Sequence, residues 1–289
     1  MIFYRILDNN LYHVEETNAL GFEKSEGLRI PDDYLDKQEF MVMRTASGIG
    51  DWGIISVMPR LLKEKYPGCK VYVPSKKLLR KLFGKDHNNV HVVFDNNPFV
   101  DKFLDEVDGE IFHDHYRVYD KDEIDIPLVK QILKFWQFKD GEMIDCQPEI
   151  YWTPEEETLG NAIIKDRTGG EDFGFLLISN RFGTLLGKPN KDNYQKDTDS
   201  ITKALKNYDL PYFYWTYKPL DETEFSFIND VLDMRHINIR IQLYIKSKAK
   251  VNIGTQCGPM DITPRYSKTL ISQRQYPLSI NIIDGVEYI

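Results

Sequence analysis

The chain is short of cysteine, of excess positive charge and of long hydrophobic runs, and each shortage removes a class of protein. Its three cysteines, Cys69, Cys146 and Cys257, are an odd number with no CxxC spacing. Neither a disulfide framework nor a zinc site follows, and a reducing compartment is expected. Acidic residues outnumber basic ones, 45 to 37, for a formal net charge of −8. A nucleic-acid surface needs Lys and Arg in clustered excess, so nucleic acid is not the expected partner. No apolar stretch approaches the ~20 residues that cross a bilayer, and Met1-Ile2-Phe3-Tyr4-Arg5 does not lead into a signal-peptide hydrophobic region. A soluble, cytoplasmic protein is expected. No low-complexity segment occurs, with 18 glycines and 14 prolines spread over the chain, so long disorder is not expected.

What remains is an ordinary globular composition, 42% hydrophobic and 28% charged, with aromatics scattered through periodic segments as core residues. At 289 residues the chain is long enough for two domains. Residues 1–38 are polar and irregular, with turn signals at Asn9-Asn10 and Pro31-Asp32-Asp33, and read as an N-terminal extension containing a hairpin. A first alternation follows in residues 39–148. It has strands at 40–45, 70–73, 90–94 and 110–112, a helix after Asp51 that carries Pro59, and helices at 76–83 and 126–138. The stretch from Asp140 to Pro148 reads as the linker. A second alternation fills 149–289, with strands at 173–179, 212–217 and 251–253. Its helices are expected at 154–165, 198–206, 222–232 and 241–247, with another starting at Pro259. Alternating strands and helices imply parallel sheets covered on both faces, so the fold class is α/β with two Rossmann-like halves.

Three segments could carry chemistry. Ser47-Gly48-Ile49-Gly50-Asp51-Trp52-Gly53 follows an apolar strand and opens a helix, where glycines let a backbone approach a ligand closely. Gly48, Gly50 and Gly53 spell GxGxxG, yet the second strand, Val71-Tyr72-Val73-Pro74-Ser75, lacks the acidic residue that would hold a ribose, so the dinucleotide reading weakens. Asp51 reads either as an N-cap or as a reacting carboxylate. Gly254-Thr255-Gln256-Cys257-Gly258-Pro259-Met260-Asp261 follows another strand and reads either as an anion-binding turn or as a plain strand-to-helix turn with Pro at N1. The loop after the 173–179 strand carries Arg181, Lys188 and Lys191, cations suited to a departing diphosphate or simply solvated. His113 and His115 flank Asp114 on an extended strand and do not converge on one ion, so no metal is expected. Cys257 has no neighbouring His to activate it and reads as a small buried thiol.

In this order the pieces resemble the heptosyltransferases, glycosyltransferase family 9. Arg44 to Asp51, Met58-Pro59-Arg60-Leu61-Leu62-Lys63 and Tyr66-Pro67-Gly68 resemble that family's opening strand, SxGD-type loop and first helix. Gln147-Pro148-Glu149 and Trp152-Thr153-Pro154-Glu155-Glu156 resemble its crossing into the second domain. Cys257-Gly258-Pro259-Met260 resembles its SGPMH donor loop, with Gln256 and Asp261 standing where the family has Asp and His. The resemblance covers residues 39–272. It implies a GT-B architecture, two Rossmann-like domains facing across a cleft: 39–148 on the acceptor side and 149–289 on the donor side. It also implies an inverting, metal-independent transfer of a sugar from a nucleotide-sugar donor to a glycan or lipid-linked glycan acceptor, which would make any membrane contact peripheral. Asp51 would be the general base, with Ser47, Gly48 and Gly50 in the acceptor-side loop. Arg181, Lys188, Lys191, Gln256, Cys257, Gly258, Pro259 and Met260 would hold the donor and its phosphates. A nucleotide-sugar epimerase or hydrolase on the same scaffold, or a binding protein that has lost turnover, are the alternatives.

Overall fold

The computed structural model describes residues 3–8, 10–14, 36–44, 47–84, 87–113, 127–185, 188–272 and 283–289. Among them, those up to Tyr151 form one compact unit and those from Trp152 form a second.

In the first unit, β1 (Phe3–Leu7) and β2 (Asn10–Val14) form an antiparallel hairpin. The N-terminal hairpin is therefore present, but it is no detached extension, because β1 also pairs with a strand a hundred residues later. The parallel part begins with β3 (Glu39–Met41), shorter than the expected 40–45. Two helices, α1 (Ile49–Ile54) and α2 (Met58–Lys65), replace the single helix expected after Asp51. Pro59 sits in the first turn of α2, where its missing N–H costs nothing. β4 (Lys70–Pro74) pairs parallel with β3. The helix α3 (Lys76–Phe83) then follows, capped by the Ser75 side chain and ended by Gly84 at φ 65°.

The 90–94 strand is corrected: these residues form α4 (Asn89–Phe94). Val90, Val93 and Phe94 are buried, an i, i+3, i+4 spacing that only a helix brings to one face, and this outweighs the β preference of the valines. The third parallel strand is instead β5 (Lys102–Leu104), giving the order β3-β4-β5. The fourth expected strand exists as β6 (Glu110–His113) but pairs antiparallel with β1, outside the parallel sheet. α5 (Leu128–Phe135) lies within the helix expected at 126–138. Asp114 and His115 lie outside the described residues.

The second unit opens with α6 (Pro154–Thr168), started by a capping box between Thr153 and Glu156. β7 (Gly174–Ile178) is buried at every position. A small antiparallel hairpin, β8 (Thr184–Leu185) and β9 (Lys188–Pro189), follows. The helix α7 (Lys191–Tyr208) starts seven residues before the expected 198, because Asn190 caps it by accepting from the Asn193 amide at 3.0 Å. After β10 (Pro211–Thr216), the helix expected at 222–232 is corrected. A single 3₁₀ turn spans Leu220–Glu222, and β11 (Asn229–Asp233) pairs with β10 as an edge strand whose exposure hides its apolar alternation. α8 (Ile239–Lys248), β12 (Val251–Gly254), α9 (Gly258–Asp261), β13 (Lys268–Ile271) and β14 (Val286–Tyr288) complete the unit.

All of this sheet's strands run parallel, in the order β11-β10-β7-β12-β13-β14. Counted by their appearance in the sheet, that order is 3-2-1-4-5-6, the doubly wound arrangement. Alternate residues feed the two faces. Leu176, Ile178 and Ile253 pack with Ile201 and Leu205 of α7, while Phe175, Leu177 and Phe213 pack with Ile241 and Ile245 of α8. Strands covered on both faces read as continuous apolar runs, which is why 173–179 was legible.

Candidate active site

In the first unit, the candidate base lies on a short, firmly anchored helix. Gly48, not Asp51, is the N-cap of α1, at φ −67°, so Asp51 stands in the first turn and its N-cap reading is corrected. Gly48 leaves room for the Asp51 side chain, and its backbone conformation does not call for glycine. A Cβ there would stand 2.6 Å from Asp51 Oδ2, so the carboxylate folds back over the bare glycine. The next residue, Trp52, is fully buried and meets Phe94 of α4 edge-on, with ring centroids 6.3 Å apart. α4 also holds the loop itself, since Asn89 Nδ2 donates to the Ser47 carbonyl at 2.7 Å. Behind α1, Ser56 Oγ donates to the Gly53 carbonyl at 2.6 Å and accepts from the Glu149 amide at 2.8 Å. The buried Glu149 carboxylate is met by Arg60 Nε at 3.0 Å. Burial works against the Arg60 cation, but Glu149 and Glu64 outweigh it and raise its pKa. Asp51 thus remains partly exposed on an element whose inner face is locked. Replacing Gly48 by Ala is expected to push the carboxylate from this position and lower turnover about tenfold or more while leaving the melting temperature nearly unchanged. Kinetics and a thermal melt on one preparation check both halves.

In the second unit, strand order reverses between β7 and β12, and their carboxyl ends are where a ligand crevice forms in open α/β sheets. Two predicted donor segments emerge there. Gly254 closes β12, and a Cβ on it would collide with the Leu177 carbonyl of β7. The segments are tied together one residue beyond the strands: Ser179 donates its amide to Thr255 Oγ1 at 2.9 Å, and the two hydroxyls are 2.9 Å apart. A fully buried carboxylate, Asp197 of α7, accepts from the Gly183 amide at 2.7 Å and from Ser272 Oγ at 2.5 Å. It therefore links the loop after β7 to the end of β13.

The sequence-predicted donor residues divide by environment. Arg181 is exposed beside the buried Phe182, and its charge reaches Cys257. Lys188 lies exposed on β9 and Lys191 is the exposed first residue of α7, so both cations belong to the connection that starts beside Arg181. Gln256 is buried, and Met260 is fully buried in the core under the sheet. The Met260 amide, with that of Asp261, bonds to the Cys257 carbonyl at 2.9 and 3.2 Å. Gly258 and Pro259 are partly exposed at the start of α9. Cys257 is partly exposed as a residue, yet burial and then the Asp261 charge push its thiol up to about 12, which suits a packing thiol and not a nucleophile.

Sequence reasoning missed the residues that hold these loops: Asn89, Ser179, Asp197, Thr255 and Lys246. Lys246 of α8 is almost wholly buried and donates to Thr263 Oγ1. Burial lowers its pKa from 10.5 to about 7, against the opposing pull of Cys257 and Asp261. Between pH 7 and 10.5 the unfolded chain therefore holds a proton here that the folded chain lacks, and stability from this group rises with pH across that window. Urea unfolding at several pH values should show the rise in the parent protein and a flatter profile in Lys246→Met.

Together the described elements are of a mixed α/β protein with parallel sheets. No helix among the described residues is long and apolar enough to cross a membrane. The fold is that of glycosyltransferases: a family 9 glycosyltransferase from Veillonella parvula DSM 2008 superposes with a TM-score of 0.55 at 9% identity, covering 87% of this chain and 85% of that one. ADP-heptose LPS heptosyltransferase II of E. coli superposes at 0.46 with 12% identity, over 87% of this chain and 90% of that one. By sequence, no family model and no curated protein matches the chain.

Proposed function

We propose that the protein is an inverting, metal-independent glycosyltransferase that moves a sugar from a nucleotide-sugar donor to a glycan or lipid-linked glycan acceptor. The observation that carries the reading is a coincidence of position. In a chain with a glycosyltransferase's fold, the segment that resembles the family's donor loop and the loop that leads to Arg181, Lys188 and Lys191 leave the sheet on either side of its switch point. The donor's diphosphate would meet the backbone near Gly258 and the cations Arg181, Lys188 and Lys191, which stabilise the charge left on the departing nucleotide. Asp51 would take the proton of the acceptor hydroxyl as it attacks the anomeric carbon from the face opposite the leaving group. The new C–O bond forms as the bond to the diphosphate oxygen breaks, and the configuration inverts. A carboxylate is a weak base. Proton transfer late in an oxocarbenium-like transition state still gains roughly two to four orders of magnitude from one that is held in place.

A thermal-shift screen against nucleoside diphosphates and nucleotide sugars tests the donor half, since a ligand that binds only the folded form raises the melting point. At least one nucleotide is expected to do so, and Arg181→Ala should weaken it. Flat melting curves across the whole panel would contradict the reading. Product analysis with acceptor left out separates the alternatives: an epimerase returns isomerised donor and a hydrolase free sugar, while a transferase leaves the donor intact.

A further inference from the structure

Aromatic rings gather at the carboxyl edge of the second sheet, beside the loop after β7, and the transfer chemistry does not use them. Phe182 is buried and meets the wholly buried Phe225 with ring centroids 5.6 Å apart. Two tyrosines also pack on Phe182: Tyr194 of α7 edge-on at 5.0 Å, and Tyr217, inclined by 28°, at 6.4 Å. Both stay exposed, at 40% and 41%. Exposed aromatics scattered singly need no explanation, whereas rings that converge on one point form a contact surface. The two tyrosines are not equivalent. Tyr194 is engaged: its hydroxyl donates to the Glu224 carboxylate, and its ring closes down on Gly183, where a Cβ would stand 2.6 Å from it. Tyr217 is fixed through its backbone instead. Its amide donates to the Ile178 carbonyl at the end of β7 at 3.0 Å, and Thr216 Oγ1 donates to the Lys218 carbonyl at 2.6 Å. The Lys218 ammonium stands 5.7 Å from the Tyr217 centroid, close to the ~6 Å limit of a cation–π contact, so it gives way readily to a ligand.

Position selects the ligand. Tyr217 follows the last residue of β10, one strand spacing, about 4.8 Å, from β7 and on the side away from β12. Arg181, a cation assigned to the diphosphate, directly precedes Phe182 in the chain. A diphosphate held near Arg181 and Gly258 therefore has Tyr217 one step along the sheet edge. In a nucleotide sugar the diphosphate separates a sugar from a nucleoside. The sugar end is the one that Asp51 serves, which leaves the flat nucleobase for the flat ring. We propose that Tyr217, backed by Phe182, is the platform on which the donor's nucleobase stacks. The proposal rests on the glycosyltransferase reading, which supplies the nucleotide. Every base presents a π-face, so this contact adds affinity for a nucleotide without choosing among bases.

Isothermal titration of the intact protein tests this, with ADP, GDP, CDP, UDP and dTDP as ligands and pyrophosphate as the probe that lacks a base. For the nucleotide that binds the parent most tightly, Tyr217→Ala is expected to raise Kd about tenfold, a usual loss for one base–aromatic stack. Tyr217→Trp should keep the parent affinity. Pyrophosphate should bind the parent and Tyr217→Ala alike, whereas Arg181→Ala should weaken nucleotide and pyrophosphate together. The Tyr217 ring is exposed, so both of its variants are expected to melt with the parent. An unchanged nucleotide affinity in Tyr217→Ala would overturn the proposal and leave the glycosyltransferase reading standing. An equal loss for pyrophosphate would overturn it too, because Tyr217 would then support the loop and not touch the base. A parent that binds none of the nucleotides would end the glycosyltransferase reading, and this proposal with it.

Discussion

Asp51→Asn is expected to reduce glycosyl transfer by about two to four orders of magnitude in kcat while leaving the melting temperature and the affinity for the donor unchanged. The amide keeps the shape of the carboxylate and fits the same space over Gly48, where the parent Oδ2 lies. The helix loses no N-cap, because that position belongs to Gly48. What the amide cannot do is accept the acceptor's proton. Turnover is thus separated from folding and from donor binding, and steady-state kinetics beside a nucleotide titration measure the split. A variant that turns over at the parent rate would end the assignment of Asp51 as base. One that loses donor affinity in step with rate would show the residue to be part of the donor site instead.

Trp52→Ala is expected to destabilise the first unit by about 3–5 kcal/mol, the usual cost of emptying a large aromatic site in a core. Trp52 has no exposed surface, meets Phe94 edge-on and lies on a helix whose other inward residues, Gly50, Gly53 and Ile54, are also buried. A helix of six residues has little stability of its own, so α1 depends on this contact. Because the described residues divide into two compact units, two unfolding transitions are expected, and the loss should fall on one of them. Urea unfolding followed by tryptophan fluorescence and by far-UV circular dichroism resolves this. A change below about 1 kcal/mol would mean that α4 does not hold α1 in place, and with it the account of how Asp51 is positioned would fall.

How far the sequence discloses this protein depends on how each residue's surroundings compare with its type. The second sheet was legible because strands covered on both faces are unbroken apolar runs, and β7 is buried along its whole length. The starts of α6 and α9 were legible because Pro154 and Pro259 mark first turns. Val90 to Phe94 misled because β-branched residues suggest a strand, whereas burial at an i, i+3, i+4 spacing decided for a helix. β11 was hidden because an exposed edge strand carries no strong alternation. The loops of the candidate site were found through their glycines, but the groups that hold them were not. Asp197 and Lys246 are charged residues on helices, a type that ordinarily faces solvent, and both are buried. Ser179 and Thr255 join over a separation of 76 residues, a pairing that only the 3-2-1-4-5-6 strand order brings about.

The central claim is that Asp51 serves a sugar held by the loops after β7 and β12. Its most direct test is an experimental structure of the protein with an intact nucleotide sugar, chosen by the thermal-shift screen, and an acceptor bound. The account predicts the diphosphate on the residues around Arg181 and Gly258, and the acceptor hydroxyl about 2.6–3.2 Å from the Asp51 carboxylate, on the face of the anomeric carbon away from the diphosphate. A nucleotide lodged elsewhere, or an Asp51 side chain directed away from the anomeric carbon, would contradict it.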